Sequence, residues 1–94
     1  MKITVEFTGA ARSVAGTRLV EIEVAAGTTY SQVVRTLAER YPDLTGFIFN
    51  AAGDDLLSSV LLYVNETDWI MPGMMDQSPK DGDRLVLLGV ITGG

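Results

Sequence analysis

The residues of this sequence that could carry chemistry are the last two, Gly93-Gly94. A carboxylate is a poor electrophile, because its charge is delocalised and its leaving group would be oxide. Joining it to AMP supplies a good leaving group, and a nucleophile can then attack the carbonyl. Gly94 has no side chain to obstruct that attack, and both glycines adopt backbone angles that other residues resist. The carboxylate of Gly94 is therefore a candidate acyl donor.

Composition argues against most other chemistry. The 94 residues contain no cysteine and no histidine, which removes thiolate nucleophiles, imidazole bases, most zinc sites and cysteine-ligated iron–sulfur clusters. We therefore expect no active site of the chain's own, no bound cofactor and no metal. The net charge is −5 and the seven basic residues are scattered, so we expect no direct binding to nucleic acid. The acidic surface favours a partner with a basic docking face; alternatively, the charge only keeps the protein soluble.

The sequence also suggests where the protein works. It has no run of about 18 apolar residues, so no membrane span is expected. Glu6 stands where a signal peptide needs apolar residues. We expect a cytoplasmic protein.

Alternation of apolar and polar residues predicts the first two strands of the fold. The first strand is predicted around residues 3–8 and the second over 20–24, with an interruption at 9–16 between them. Further strands are predicted over residues 60–64 and 84–88.

A single main helix is predicted after the second strand. Thr29 with Gln32 fits a capping box, and Pro42 ends the helix at or before the preceding residue. The segment 43–55 is predicted as a connection with a possible short strand at 47–49, and residues 68–80 as irregular. One helix can cover only one face of such a sheet, so we predict an α+β domain with a mixed four- to five-stranded sheet. It spans residues 1–94, with a tail at 89–94.

The uncovered face of this sheet is predicted to be apolar. Leu61 and Tyr63 point opposite to their neighbours in one strand, and so do Val86 and Leu88 in the other. If the two strands are adjacent, these four residues form a contiguous patch, and such patches often mark partner surfaces. Alternatively, the segment 68–80 folds over the patch, and we expect Trp69 to be core or loop cover.

Several motifs give the chain a resemblance to a known family. They are Phe7 with the segment 11–16 (Ala-Arg-Ser-Val-Ala-Gly), Val64-Asn65, the turn 81–83 (Asp-Gly-Asp) before the last strand, and the terminal Gly93-Gly94. The sequence resembles the ubiquitin-like β-grasp sulfur carriers and protein modifiers. These include the small subunit of molybdopterin synthase, the thiamine sulfur carrier, the ubiquitin-related modifier and the small archaeal modifiers.

The resemblance implies a mechanism and a set of partners. An E1-like enzyme adenylates Gly94 with ATP, and a sulfur donor enzyme converts the end to a thiocarboxylate. The sulfur passes to an accepting enzyme for tRNA thiolation or molybdopterin synthesis, or Gly94 is joined to lysines of target proteins. Gly93 guides the tail, Leu88 lies where the family docks its activating enzyme, and Leu85 and Leu87 belong to the core. A non-covalent interaction domain is the third possibility.

Overall fold

Five strands form one mixed sheet in the computed structural model, which describes residues 1–89. The strands occur in the order β2-β1-β5-β3-β4, with β1 parallel to β5 and every other neighbouring pair antiparallel. Their bounds are β1 (Lys2–Phe7), β2 (Leu19–Glu23), β3 (Val60–Val64), β4 (Asp68–Ile70) and β5 (Arg84–Gly89). The predicted α+β class and mixed sheet are confirmed, and β5 extends one residue beyond its predicted end.

Two helices and a short 3₁₀ turn complete the described elements: α1 (Gly9–Ala15), α2 (Tyr30–Arg40) and a turn at Pro42–Leu44. The predicted capping box begins α2. The backbone N–H of Gln32 donates to the Thr29 hydroxyl over 3.3 Å, and the backbone N–H of Thr29 donates to Gln32 Oε1 over 2.9 Å. The helix ends before Pro42, as expected. None of the helices within residues 1–89 is long and apolar enough to cross a bilayer.

The core lies between α2 and one face of the sheet. The helix contributes a stripe of apolar side chains at helical spacing, and β1, β3 and β5 contribute every second residue. The fully buried large side chains are Ile3, Val5, Phe7, Val33, Val34, Leu37, Leu44, Phe49, Leu62, Leu85 and Leu87. Because the core uses only one face of the sheet, the other face remains available for contacts.

Three local predictions were wrong. The interruption after β1 contains the helix α1, and Asp68–Ile70 is the edge strand β4 rather than irregular chain. No strand forms at residues 47–49, where the N–H groups of Ile48 and Phe49 both donate to the carbonyl of Leu44 over 2.9 and 3.1 Å. Phe49 takes part only in isolated bridges. The apolar run 47–49 therefore belongs to a loop that buries Ile48 and Phe49, and not to a strand.

Candidate functional site

The open-face patch consists of Leu61, Tyr63, Val86 and Leu88. In the antiparallel pairing of β3 with β5, Leu61 lies opposite Leu88 and Tyr63 lies opposite Val86. All four are partly exposed, whereas the residues that alternate with them, Val60, Leu62, Val64, Leu85 and Leu87, are buried in the core. The predicted assignment of these strands' two faces is therefore confirmed. Directly opposed cross-strand residues are close enough to contact one another, so the four side chains form a single apolar surface.

Trp69 extends this patch across β4, which corrects its expected role as core or loop cover. It pairs with Tyr63 across the β3–β4 ladder, and the two rings stack with centroids 4.2 Å apart and an angle of 22° between their planes. The indole remains 50% exposed. The open face therefore carries a stacked aromatic pair at its edge, and half of the Trp69 surface is exposed.

The segment that follows Trp69 does not cover the patch. Its backbone bonds to the start of α2 instead: the N–H of Tyr30 donates to the carbonyl of Gln77 over 2.8 Å, and that of Ser31 donates to the carbonyl of Met75 over 3.0 Å. Met75 is buried in the core. Residues 74–78 thus pack beside the helix, and the sheet's opposite face stays open.

A polar groove borders the patch on the side of β1. Its volume is about 590 Å³, and its lining consists of Glu6, Tyr63, Asn65, Glu66, Arg84 and Val86. Within the groove, Glu6 Oε1 forms two ion pairs, one with Arg84 Nη2 at 3.7 Å and one with Arg18 Nη1 at 3.8 Å. Exposed pairs of this kind add little stability, but they hold the Arg84 guanidinium against β1.

Asn65 and Asp83 fix the ends of the two strands that carry the patch. The Asn65 amide donates to Asp83 Oδ1 over 2.8 Å and accepts from the Arg84 N–H over 2.8 Å. Asp83, 8% exposed, also accepts from the Lys80 N–H over 2.8 Å. Asp81 accepts from the Lys2 N–H over 2.8 Å. The motif residues 65 and 81–83 therefore hold turns and strand register.

The root of the tail adjoins the patch directly. β5 ends at Gly89, which pairs with Val60, and Leu88 precedes it on the open face. The Thr8 hydroxyl donates to the carbonyl of Leu87 over 2.8 Å, which anchors the end of β5 to the chain after β1. The candidate acyl donor Gly94 and its neighbour Gly93 lie outside the described residues.

Tyr30 is a buried tyrosine whose pKa departs clearly from its ordinary value. Burial, followed by the charges of Asp83 and Asp68, raises its pKa from 10.0 to about 12. A tyrosine with this pKa stays neutral at pH 7 and is a poor general base. Within residues 1–89, no three acidic side chains lie close enough together to hold a metal ion.

Comparison with known proteins extends these observations. The sequence model of the ThiS family matches residues 5–94. SAMP1 from Haloferax volcanii superimposes with a TM-score of 0.80 at 21% identity, over 100% of both chains. A putative molybdopterin converting factor, subunit 1, from Pyrococcus furiosus gives 0.71 at 18% identity, over 97% of this chain and 99% of that one. Urm1 from Trypanosoma brucei gives 0.67 at 25% identity, over 99% and 95%. No curated protein matches the sequence.

These similarities and the sheet order define a ubiquitin-like β-grasp fold, as the sequence resemblance implied. The chain belongs to the ThiS family, within the group of ubiquitin-like sulfur carriers and protein modifiers. Members of this group are small carrier or modifier proteins rather than enzymes.

Proposed function

We propose that this protein is a sulfur carrier whose C-terminal carboxylate, on Gly94, is activated by an E1-like enzyme. The observation that carries the proposal is the continuity between the open-face patch and the root of the tail at Gly89. An enzyme that binds Leu61, Val86 and Leu88 has the start of the tail at the edge of its contact surface. Five further residues, fully extended, span about 17 Å, which is enough to enter a separate active site.

The chemistry follows from the tail. A carboxylate oxygen of Gly94 attacks the α-phosphate of ATP, pyrophosphate leaves, and an acyl-adenylate forms. Hydrosulfide supplied by a donor enzyme then attacks the acyl carbon, the bond to AMP breaks, and the terminus becomes a thiocarboxylate. The 94 residues contain no cysteine that could hold sulfur as a side-chain persulfide. Gly93 and Gly94 allow a narrow channel to close around the chain.

The activated end has several fates. As a carrier, the protein delivers sulfur in the cytoplasm to an enzyme of tRNA thiolation or molybdopterin synthesis. The similarity to a P. furiosus protein named as a molybdopterin converting factor supports this fate. As a modifier, it forms an isopeptide bond to a lysine of another protein, and the similarity to a small archaeal modifier protein supports that one. Both start from the same adenylate, so one protein could serve both.

Intact-mass spectrometry tests the proposal. Incubation with ATP, the E1-like enzyme of the same cell and a sulfur donor should raise the mass by the difference between sulfur and oxygen. Tandem spectra should place the change on Gly94. Lysine adducts alone, with a competent sulfur donor present, would favour the modifier function. If neither product forms, the protein is a non-covalent interaction domain.

Deletion of residues 93–94 is the matched control. It should abolish both products and leave the urea denaturation curve unchanged, because an exposed terminus contributes little to stability. A clear loss of stability would show instead that the tail is packed against the domain. The proposal also treats residues 1–94 as one domain, which a single cooperative urea transition checks. The tail, expected at 89–94, begins after Gly89, because Gly89 belongs to β5.

A further inference from the structure

The hairpin between β3 and β4 has an unusual turn. Asn65 and Glu66 adopt positive φ angles of 51° and 61°. Asparagine tolerates this region, but for a residue such as glutamate it costs roughly 1–2 kcal/mol, and hairpin turns usually place glycine here. The backbone is nevertheless held firmly, since the Tyr63 hydroxyl donates to the carbonyl of Glu66 and the Thr67 N–H donates to that of Val64 over 3.0 Å. Strain held in this way often marks a functional position.

The Glu66 side chain forms no ion pair with any other residue of 1–89. It is exposed and lines the groove together with Tyr63, whose ring stacks on Trp69. The other acid of the groove, Glu6, differs because it forms ion pairs with Arg18 and Arg84, and Arg84 also lines the groove. The turn therefore presents one carboxylate that is in no ion pair among residues 1–89, next to the Tyr63 ring and its exposed stacking partner Trp69.

The second acid of the hairpin lies on the other side of the sheet. Residues 65–69 contain two acids and no base. Asp68 pairs with Val64, whose side chain enters the core, and its charge acts on Tyr30 on the helix side of the sheet. Asp68 and Glu66 thus lie on opposite sides of the same hairpin, so only Glu66 borders the patch.

We propose that Glu66, Tyr63 and Trp69 form a receptor for an arginine side chain of a protein partner. A guanidinium is planar, stacks on aromatic faces and binds a carboxylate through two parallel hydrogen bonds. A lysine ammonium instead binds a carboxylate as a point charge, without this planar geometry. The net charge of −5 favours approach of such a basic partner. The inference rests on the proposed function in taking the E1-like enzyme as that partner.

The single tryptophan of the sequence provides a specific probe. Protein labelled with 5-fluorotryptophan gives one ¹⁹F resonance, from Trp69, and the unlabelled enzyme remains silent. Titration with the E1-like enzyme should shift this resonance. Glu66→Gln should weaken binding about tenfold, as expected for losing one partner of a charged interface pair. Asp68→Asn removes the same charge from the other side of the hairpin and should leave binding within about twofold of the original.

A second arm tests the chemistry without the enzyme. N-acetyl-arginine amide should shift the Trp69 resonance more than N-acetyl-lysine amide at equal concentration, and Glu66→Gln should remove the difference. Equal shifts from the two amides would overturn the inference, as would equal losses of enzyme binding in Glu66→Gln and Asp68→Asn. A shift that depends only on the protein's own concentration would overturn it in favour of a second copy of this chain.

The two proposals fail in different ways. If the enzyme adenylates Gly94 while the Trp69 resonance stays unchanged, the receptor is wrong and the proposed function stands. If the enzyme never activates the chain but the arginine-specific shift persists, the proposed function is wrong and the receptor stands for another partner.

Discussion

Leu87 and Leu88 are adjacent in β5 and point to opposite faces of the sheet, so they should respond very differently to truncation. Leu87 is 2% exposed and packs in the core, whereas Leu88 is only partly covered on the open face. Burial of a leucine side chain and the cavity left on its removal predict a loss of about 2–5 kcal/mol for Leu87→Ala. Leu88→Ala loses only part of a transfer term, about 1 kcal/mol.

Urea denaturation monitored by circular dichroism measures both values. For a domain of this size each kcal/mol corresponds to about 4–8 °C in melting temperature, so Leu87→Ala should melt roughly 10 °C or more below the unchanged protein. Binding to the E1-like enzyme should instead depend on Leu88. The variant Leu88→Asp should fold but bind the enzyme weakly, because a charge replaces an apolar contact at the interface. Equal destabilisation by Leu87→Ala and Leu88→Ala would refute the assignment of the two faces.

Three further predictions concern stability. Glu66→Gly should raise the free energy of unfolding in urea by up to about 1 kcal/mol, because relief of the left-handed strain exceeds the entropy cost of glycine; a loss would show that the turn is unstrained. Tyr30 has a higher pKa folded than unfolded, so its contribution to stability is complete below pH 10 and is lost as the pH rises through about 12. Tyr30→Phe should therefore flatten the decline of stability between these values, and an unchanged slope would contradict the assignment. Thr29→Ala should cost about 1 kcal/mol by removing the cap of α2, whereas the exposed Ser58→Ala, outside any helix or strand, should change stability by less than about 0.5 kcal/mol.

The parts of the fold that depend on regular patterns were predictable. Apolar–polar alternation in β1 specifies which of its side chains are buried. The strands β3 and β5 are apolar on both faces, so only the family resemblance assigned Leu85 and Leu87 to the core. The Thr29 and Gln32 pair specifies the start of α2 through local hydrogen bonds alone. The open-face patch could be predicted because β3 and β5 carry apolar residues on both faces, so that one apolar face is left uncovered where the two strands are neighbours.

The elements that depend on tertiary contacts were not predictable in the same way. α1 has only seven residues, and the side chain of its N-cap, Thr8, bonds to Leu87 rather than to the helix. β4 has three residues, too few for a periodic signal, and only its pairing with β3 brings Trp69 onto Tyr63. The polar run between those two aromatics was the available sign of a hairpin. The positive φ angle of Glu66 could not be predicted either, because the turn contains no glycine, the residue that usually indicates such a conformation.

The parallel pairing of β1 with β5 determines how the domain resists mechanical force. These strands lie nearest the two ends of the chain, and they are neighbours inside the sheet, with Thr4 opposite Arg84 and Phe7 opposite Leu87. A pull on the C-terminal side of β5 against the start of β1 slides one strand along the other. The hydrogen bonds between them are then loaded together in shear, rather than broken one after another as in an opened zipper. Force applied between the N-terminus and the C-terminus would therefore load β1 and β5, two interior strands that each have a neighbour on both sides.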